Sequence, residues 1–363
     1  MEARKKPNSK PFYKNSYFWL VPALPILLFE LVFFFKLQNL NQPPAKPGHI
    51  KSADIVAPPQ LDFAAYDKKL VEIANNPTPA RTSASSTLNL APNLWPVKTV
   101  YPNYGALLPF NRIVAYYGNL YSTNMGVLGE YPEDEMLERL SSEVSKWQAA
   151  DPSTPVIPAL HYIAVVAQGG GGKDGKYRSR MPELEIQKVL AIAQKINGIV
   201  FLDIQLGQSN VQTEAPLLEQ YLKLPQVHLG IDPEFAMQGN QRPGTAIGTL
   251  DAADINFAAN YLARIVKGNN LPPKILVIHR FTQAMVTNYQ NIKPLPEVQI
   301  VMDMDGFGSQ ASKLNTYKQY IYKQPVQFTG FKLFYKNDIV NGTMLTPEQI
   351  LKLSPIPLYI QYQ

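Results

Sequence analysis

From Asn111 to the C-terminus, short apolar runs alternate with stretches in which apolar residues recur every three or four positions. A run of four to eight apolar residues between turn signals reads as a buried strand, and the wider spacing as an amphipathic helix. Strands are therefore predicted at Arg112–Gly118, Val156–Val166, Ile199–Leu206, Val227–Asp232, Lys274–Phe281, Val298–Asp305, Phe328–Tyr335 and Pro357–Tyr362. Helices are predicted at Pro132–Ala150, Pro182–Ile196, Glu214–Leu222, Ala252–Lys267, Ser309–Tyr322 and Pro347–Leu353. Several open on a start signal, such as Thr346-Pro347 ahead of Glu348. The stretch after Phe281 is too short to assign.

Strands alternating with helices imply a parallel sheet, and eight of them, the last at the C-terminus, imply a closed (β/α)8 TIM barrel of the α/β class. An open doubly wound sheet is the alternative, but no G-x-G-x-x-G follows a strand, which disfavours a dinucleotide-binding version. The run Gly169–Lys173 lacks phosphate-loop spacing, since Asp174 follows the lysine, and reads as a flexible loop. No cofactor is expected.

The first 110 residues have another texture. Residues 1–16 hold Arg4, Lys5, Lys6, Lys10 and Lys14 against Glu2 alone, and Tyr17 to Phe35 is almost wholly apolar, with Glu30 inside it. About 20 apolar residues are needed to cross a bilayer, and a basic flank stays on the cytoplasmic side. The expected arrangement is a basic cytoplasmic tail (1–16), an uncleaved transmembrane anchor in contact with the lipid bilayer (17–36), a Pro-rich spacer (37–110) and an extracytoplasmic barrel (111–363). A cleaved signal peptide is the rival reading, but no A-x-A site follows the run. The chain has 32 prolines against 21 glycines, crowded into its first third, and proline stiffens a spacer. Within the spacer only Tyr66–Ala74 patterns as a helix, and Tyr101–Phe110 already belongs with the folded part.

Charge and cysteine narrow the chemistry. The pI near 9.1 owes most of its net +6 to the tail, so it does not argue for nucleic acid. With no cysteine there is no disulfide, thiolate nucleophile or Cys-ligated zinc.

Side chains alternate across a strand. In Val227–Glu234 the apolar Val227, Leu229 and Ile231 share one face, leaving His228, Gly230, Asp232 and Glu234 on the other. The same test turns Asp203, Gln205, His279, Asp303, Asp305 and Lys332 inward, close to the strands' C-terminal ends, where barrel active sites are built. Clustered carboxylates push each other's pKa values apart, so one acts as a general acid while another stays ionised, the pairing that glycoside hydrolysis requires. The catalytic candidates are Glu234 as acid, Asp232 positioning it, and Asp203 or Asp305 as second carboxylate. Substrate contacts are expected from Tyr116, Tyr117, Gln205, His279, Asp303, Lys332, Tyr335 and Gln361. His161 reads as a core histidine. No metal site is expected, because no paired-histidine spacing is present.

Asp232-Pro233-Glu234 at the end of a fourth strand resembles the D-x-E of family-18 chitinases and family-25 muramidases, and Met302-Asp303-Met304-Asp305 looks like the chitinase M-x-Y-D. The resemblance implies that Glu234 is the acid and that Asp232 orients it. Gly230 stands where the chitinase motif has a further Asp, and Tyr359 and Tyr362 stand in for a final-strand tryptophan. The order VAYYG, GVLGEYP, LDIQLGQS, IDPEF, HRFT, DMDGFG and FKLFY is similar to a group of exported, lipoprotein-like bacterial proteins of unassigned function, which implies a cell-envelope location. Three functions follow as expectations: a glycoside hydrolase acting on an envelope or extracellular glycan, a non-catalytic barrel binding glycan or protein, and a metal-dependent hydrolase using His279 and the aspartates.

Overall fold

The computed structural model describes residues 60–77, 93–340 and 342–363. The expected tail and anchor lie outside them, as does much of the expected spacer. Among the described residues no helix is long and apolar enough to cross a membrane.

Eight parallel strands form where the apolar runs place them: β1 (Arg112–Gly118), β2 (Val156–Ala167), β3 (Ile199–Gly207), β4 (Val227–Ala236), β5 (Lys274–Arg280), β6 (Val298–Met304), β7 (Phe328–Leu333) and β8 (Tyr359–Tyr362). Each pairs with the next, and β8 pairs with β1, so the sheet closes into a barrel. Burial runs almost unbroken along the strands, as it must in a parallel sheet covered on both faces.

Long helices at Glu133–Ala150, Glu183–Lys195 and Ala252–Asn269 cover the outside. The last opens on a capping box between Asp251 and Asp254 and stops at Asn270 in the left-handed conformation. The helix expected at Glu214–Leu222 is instead a series of short turns, Val211–Glu214, Ala215–Leu218 and Glu219–Leu222, with Pro216 inside supplying no backbone N–H. A small strand pair joins Leu250–Asp251, just before the helix Ala252–Asn269, to Val286–Thr287 after β5, and a 3-10 turn follows at Tyr289–Asn291.

The faces divide as the alternation requires. Val227, Leu229 and Ile231 of β4, with Leu202, Ile204, Ile300, Met302 and Met304, pack outward in one apolar layer with the helices. Inward, Ile113, Ala115, Ile199, Phe201, Ile275, Val277 and Val301 fill the lower half of the barrel.

Part of the expected spacer packs against this floor. The helix Phe63–Ala74, capped by Asp62 and closed by a left-handed Asn75, buries Tyr66, Ile73 and Ala74. Asn75 Nδ2 donates to the Leu353 carbonyl at 2.8 Å, and Trp95 Nε1 to that of Tyr322 at 2.9 Å. Leu108 is fully buried, and Gln299 at the bottom of β6 holds both its N–H (3.1 Å) and its carbonyl (2.7 Å). Packed structure therefore begins before 111: a buried Leu and Trp outweigh the spacer-like composition around them.

Candidate active site

The inward residues form two polar tiers above the apolar floor. The upper tier lines a cleft of ≈ 550 Å³ at the C-terminal mouth, where Tyr117, Gln205, Asp232, Glu234, Asp305 and Lys332 meet. That volume is within the range of small-molecule sites. Phe235, Phe281, Phe307 and Phe334 supply apolar surface, and Phe307 is 64% exposed.

Glu234 is aimed by a local irregularity. The β3–β4 register shifts between Gln205–Asp232 and Gly207–Ala236, and such bulges re-aim side chains. Asp232 Oδ1 accepts the Glu234 backbone N–H at 3.0 Å, fixing the bend. Among the described residues the Glu234 carboxyl has no hydrogen-bond or ion-pair partner, and it is half-buried. Burial, reinforced by Asp305, raises its pKa. Asp232 is pushed up much further, again chiefly by burial.

Asp305 is in the opposite setting. Lys332 Nζ lies 2.9 Å from its Oδ1, and His279 Nδ1 3.2 Å from its Oδ2. Burial works against its charge, but Lys332 and then His279 outweigh it and hold the pKa below the usual carboxylate value. Lys332 also sits 3.9 Å above the Tyr117 ring centroid, a cation–π contact that helps fix the ammonium.

The lower tier is closed to solvent. His161, Asp203, His279 and Asp303 are all 0% exposed. Asp203 Oδ1 lies 3.2 Å from His161 Nε2 and 3.6 Å from His279 Nε2, while its Oδ2 accepts from Tyr117 at 3.1 Å. These histidines outweigh the burial of Asp203 and keep it ionised. Burial lowers the His161 pKa to about 4, whereas Asp203, Asp303 and Asp305 overcome the burial of His279 and raise it well above the usual value. Burial raises the pKa of Asp303.

The expected site residues thus separate into three groups. Glu234, Asp232, Asp305, Tyr117, Gln205 and Lys332 share the cleft. Asp203, His279, Asp303 and Gln361 lie a tier below it; Gln361 is fully buried and donates to the Tyr359 hydroxyl at 2.7 Å. Tyr116 and Tyr335 are not in the cleft. They face outward beneath the helices, their hydroxyls 3.0 Å apart, because neighbouring residues on β1 point to opposite sides and only Tyr117 shares the inward parity. Two features escaped the sequence reading. The phenylalanines of the cleft sit at or beyond strand ends, where alternation no longer reports direction. His161 has inward parity, a signal that was present, but its partners lie on other strands.

No protein-family model matches the chain, and no curated protein does. Among solved structures it is similar to a Bacillus subtilis mannanase, with 14% identity and a TM-score of 0.36 over 70% of this chain and 81% of the mannanase. GH26C from Muricauda sp. MAR_2010_75 is similar at 10% identity and a TM-score of 0.27, over 73% and 75% of the two chains. The barrel assignment rests on the strand pairing itself.

Proposed function

We propose that the barrel is a glycoside hydrolase acting on an envelope or extracellular glycan, with Glu234 as proton donor and Asp305 as the second carboxylate. One observation carries the reading. Two of the three carboxylates lining the cleft stand in opposite electrostatic settings, Asp305 held ionised by Lys332 and Glu234 unpaired and half-buried. As the glycosidic bond breaks, Glu234 passes its proton to the leaving oxygen. The ionised Asp305 stabilises the positive charge developing at the sugar carbon, and water completes the cleavage. Asp232 is a positioning residue, and the phenylalanine rim offers rings for the apolar faces of sugars.

A non-catalytic glycan-binding barrel is the second reading. It is favoured by the Asp305–Lys332 contact, since a carboxylate already engaged by an ammonium serves well as a fixed acceptor. The proposal keeps Tyr17–Phe35 as a single-pass anchor with the barrel on the export side, supported by the apolar run and its basic flank.

The test uses the full-length chain in mild detergent, because residues within 60–77 and 93–110 contribute to the barrel floor. Cleavage of peptidoglycan, chitin oligosaccharides and other glycans is compared for the wild type and Glu234→Gln. Cleavage abolished by the substitution, with circular dichroism unchanged, supports the hydrolase. Binding without cleavage in both proteins moves the assignment to the second reading.

A further inference from the structure

We propose that His161, Asp203 and His279 form a binding site for a divalent transition metal of the zinc class, sealed beneath the cleft. The proposal does not depend on the cleft being hydrolytic.

The three donors come from β2, β3 and β5 and meet in one tier of the barrel. One nitrogen of each histidine and one Asp203 oxygen lie within 4.8 Å of one another. The two donor separations, 3.2 and 3.6 Å, match the spacing of ligands around one ion. Zinc bonds to nitrogen and oxygen are about 2.0–2.2 Å, which sets neighbouring tetrahedral ligands about 3.3–3.6 Å apart.

The alternative, a hydrogen-bonded His–Asp network, fits the directions poorly. His161 Nε2, His279 Nε2 and Asp203 Oδ1 are each buried without a hydrogen bond: His161 Nε2 is within reach of the oxygen at 3.2 Å but not aligned with it, and His279 Nε2 stands too far off at 3.6 Å, with its Nδ1 unpartnered as well. The three atoms nonetheless lie within 4.8 Å of one another, close enough to share one ion. Unpartnered buried polar atoms are costly, so three converging on one spot call for an occupant.

The surroundings complete the pattern. Metal-binding histidines present their other nitrogen to an acceptor, which fixes the tautomer. His161 Nδ1 lies 2.5 Å from the Tyr359 hydroxyl. His279 Nδ1 faces Asp305 at 3.2 Å and Asp303 at 3.3 Å. Asp203 Oδ2 is held by Tyr117. Gly230 lies between the strands of Asp203 and His279, paired with Asp203 on one side and Val277 on the other. A β-carbon there would collide with both His161 Nε2 and Asp203 Oδ1, so only glycine leaves the donors free to share an ion. Two imidazoles and one carboxylate suit zinc-class ions over calcium or magnesium, which prefer all-oxygen shells. An ion on His279 Nε2 would lock its Nδ1–H toward Asp305, linking the buried site to the cleft.

The full-length chain, purified in mild detergent with a histidine-free tag, is stripped with a chelator. It is then titrated with Zn²⁺ and with Co²⁺, and retained metal is measured after desalting. One ion per chain is expected, with the visible absorption of a low-coordinate nitrogen–oxygen Co²⁺ site. His161→Gln and Asp203→Asn should each weaken binding by about 100-fold or more, and Tyr359→Phe, which removes only an outer partner, by about 10-fold. Since a central substitution risks the fold, the wild-type Co²⁺ spectrum decides by itself. A spectrum of hydrated ion, no stoichiometric metal on the wild type, or binding retained by folded His161→Gln and Asp203→Asn chains overturns the proposal.

Discussion

Asp232 Oδ1 accepts the backbone N–H of Glu234 at 3.0 Å, so a buried carboxyl fixes the chain segment that carries the candidate acid. Removing this acceptor leaves the bend unsupported without touching the acid itself. Asp232→Ala is expected to lower kcat by about 10- to 100-fold with Glu234 still in place, since small misplacements of a catalytic group cost rates of that order. Steady-state kinetics on whichever glycan the wild type cleaves checks this, and an unchanged kcat refutes the positioning role.

The raised pKa of Glu234 has a defined consequence for pH dependence. Its protonated form persists above the ordinary glutamate value of about 4.3, because burial and the charge of Asp305 disfavour ionisation. Lys332 and His279 oppose the shift, and buried Asp232 lies beside it. Cleavage should therefore be retained above the ordinary carboxylate range and fall as pH rises through the elevated pKa. The alkaline limb of kcat/KM against pH is the measurement.

Glu214 is fully buried and is held by Arg178 and Arg180, each through Nε at 2.7 Å, with Ser209 at 2.5 Å. Glu214→Gln leaves the half-buried Arg178 with only exposed Asp174 as a charged partner and should cost about 2–3 kcal/mol in denaturant unfolding. Burial opposes ionisation, but Arg180, Ser209 and Arg178 prevail and depress the Glu214 pKa. Its stabilisation is complete above the unfolded value and lost as pH falls through the folded one. The variant should therefore lose that part of the acid dependence.

Gly230→Ala should destabilise the barrel by about 1–3 kcal/mol, because the added methyl collides with two side chains that cannot retreat from a packed interior. Gly169→Ala, with open space around it, should be neutral. Equal unfolding midpoints for the two variants would contradict this account.

Tyr116→Phe and Tyr335→Phe should leave glycan binding and cleavage unchanged, since both rings lie outside the barrel wall. Each removes one side of a half-buried hydroxyl contact at 3.0 Å and should cost about 1 kcal/mol. Thermal unfolding and a glycan-binding titration read the two effects separately.

What the sequence determined by itself was everything that repeats along the chain. Apolar runs located eight strands, and alternation by two correctly turned Glu234, Asp305 and Lys332 toward one interior. Alternation also distinguishes Tyr116 from Tyr117, a distinction that aromatic content alone obscures. What only the tertiary structure decided was depth and neighbourhood. Asp203 and Asp305 share a parity rule, yet one is sealed between histidines and the other opens to the cleft, because inter-strand register sets the tier of each residue. His161 meets Asp203 and His279 across strands far apart in the chain, and the helix Phe63–Ala74 meets the floor by the same long-range closure. Periodicity is a property of neighbouring residues, whereas a site is a property of strands brought side by side.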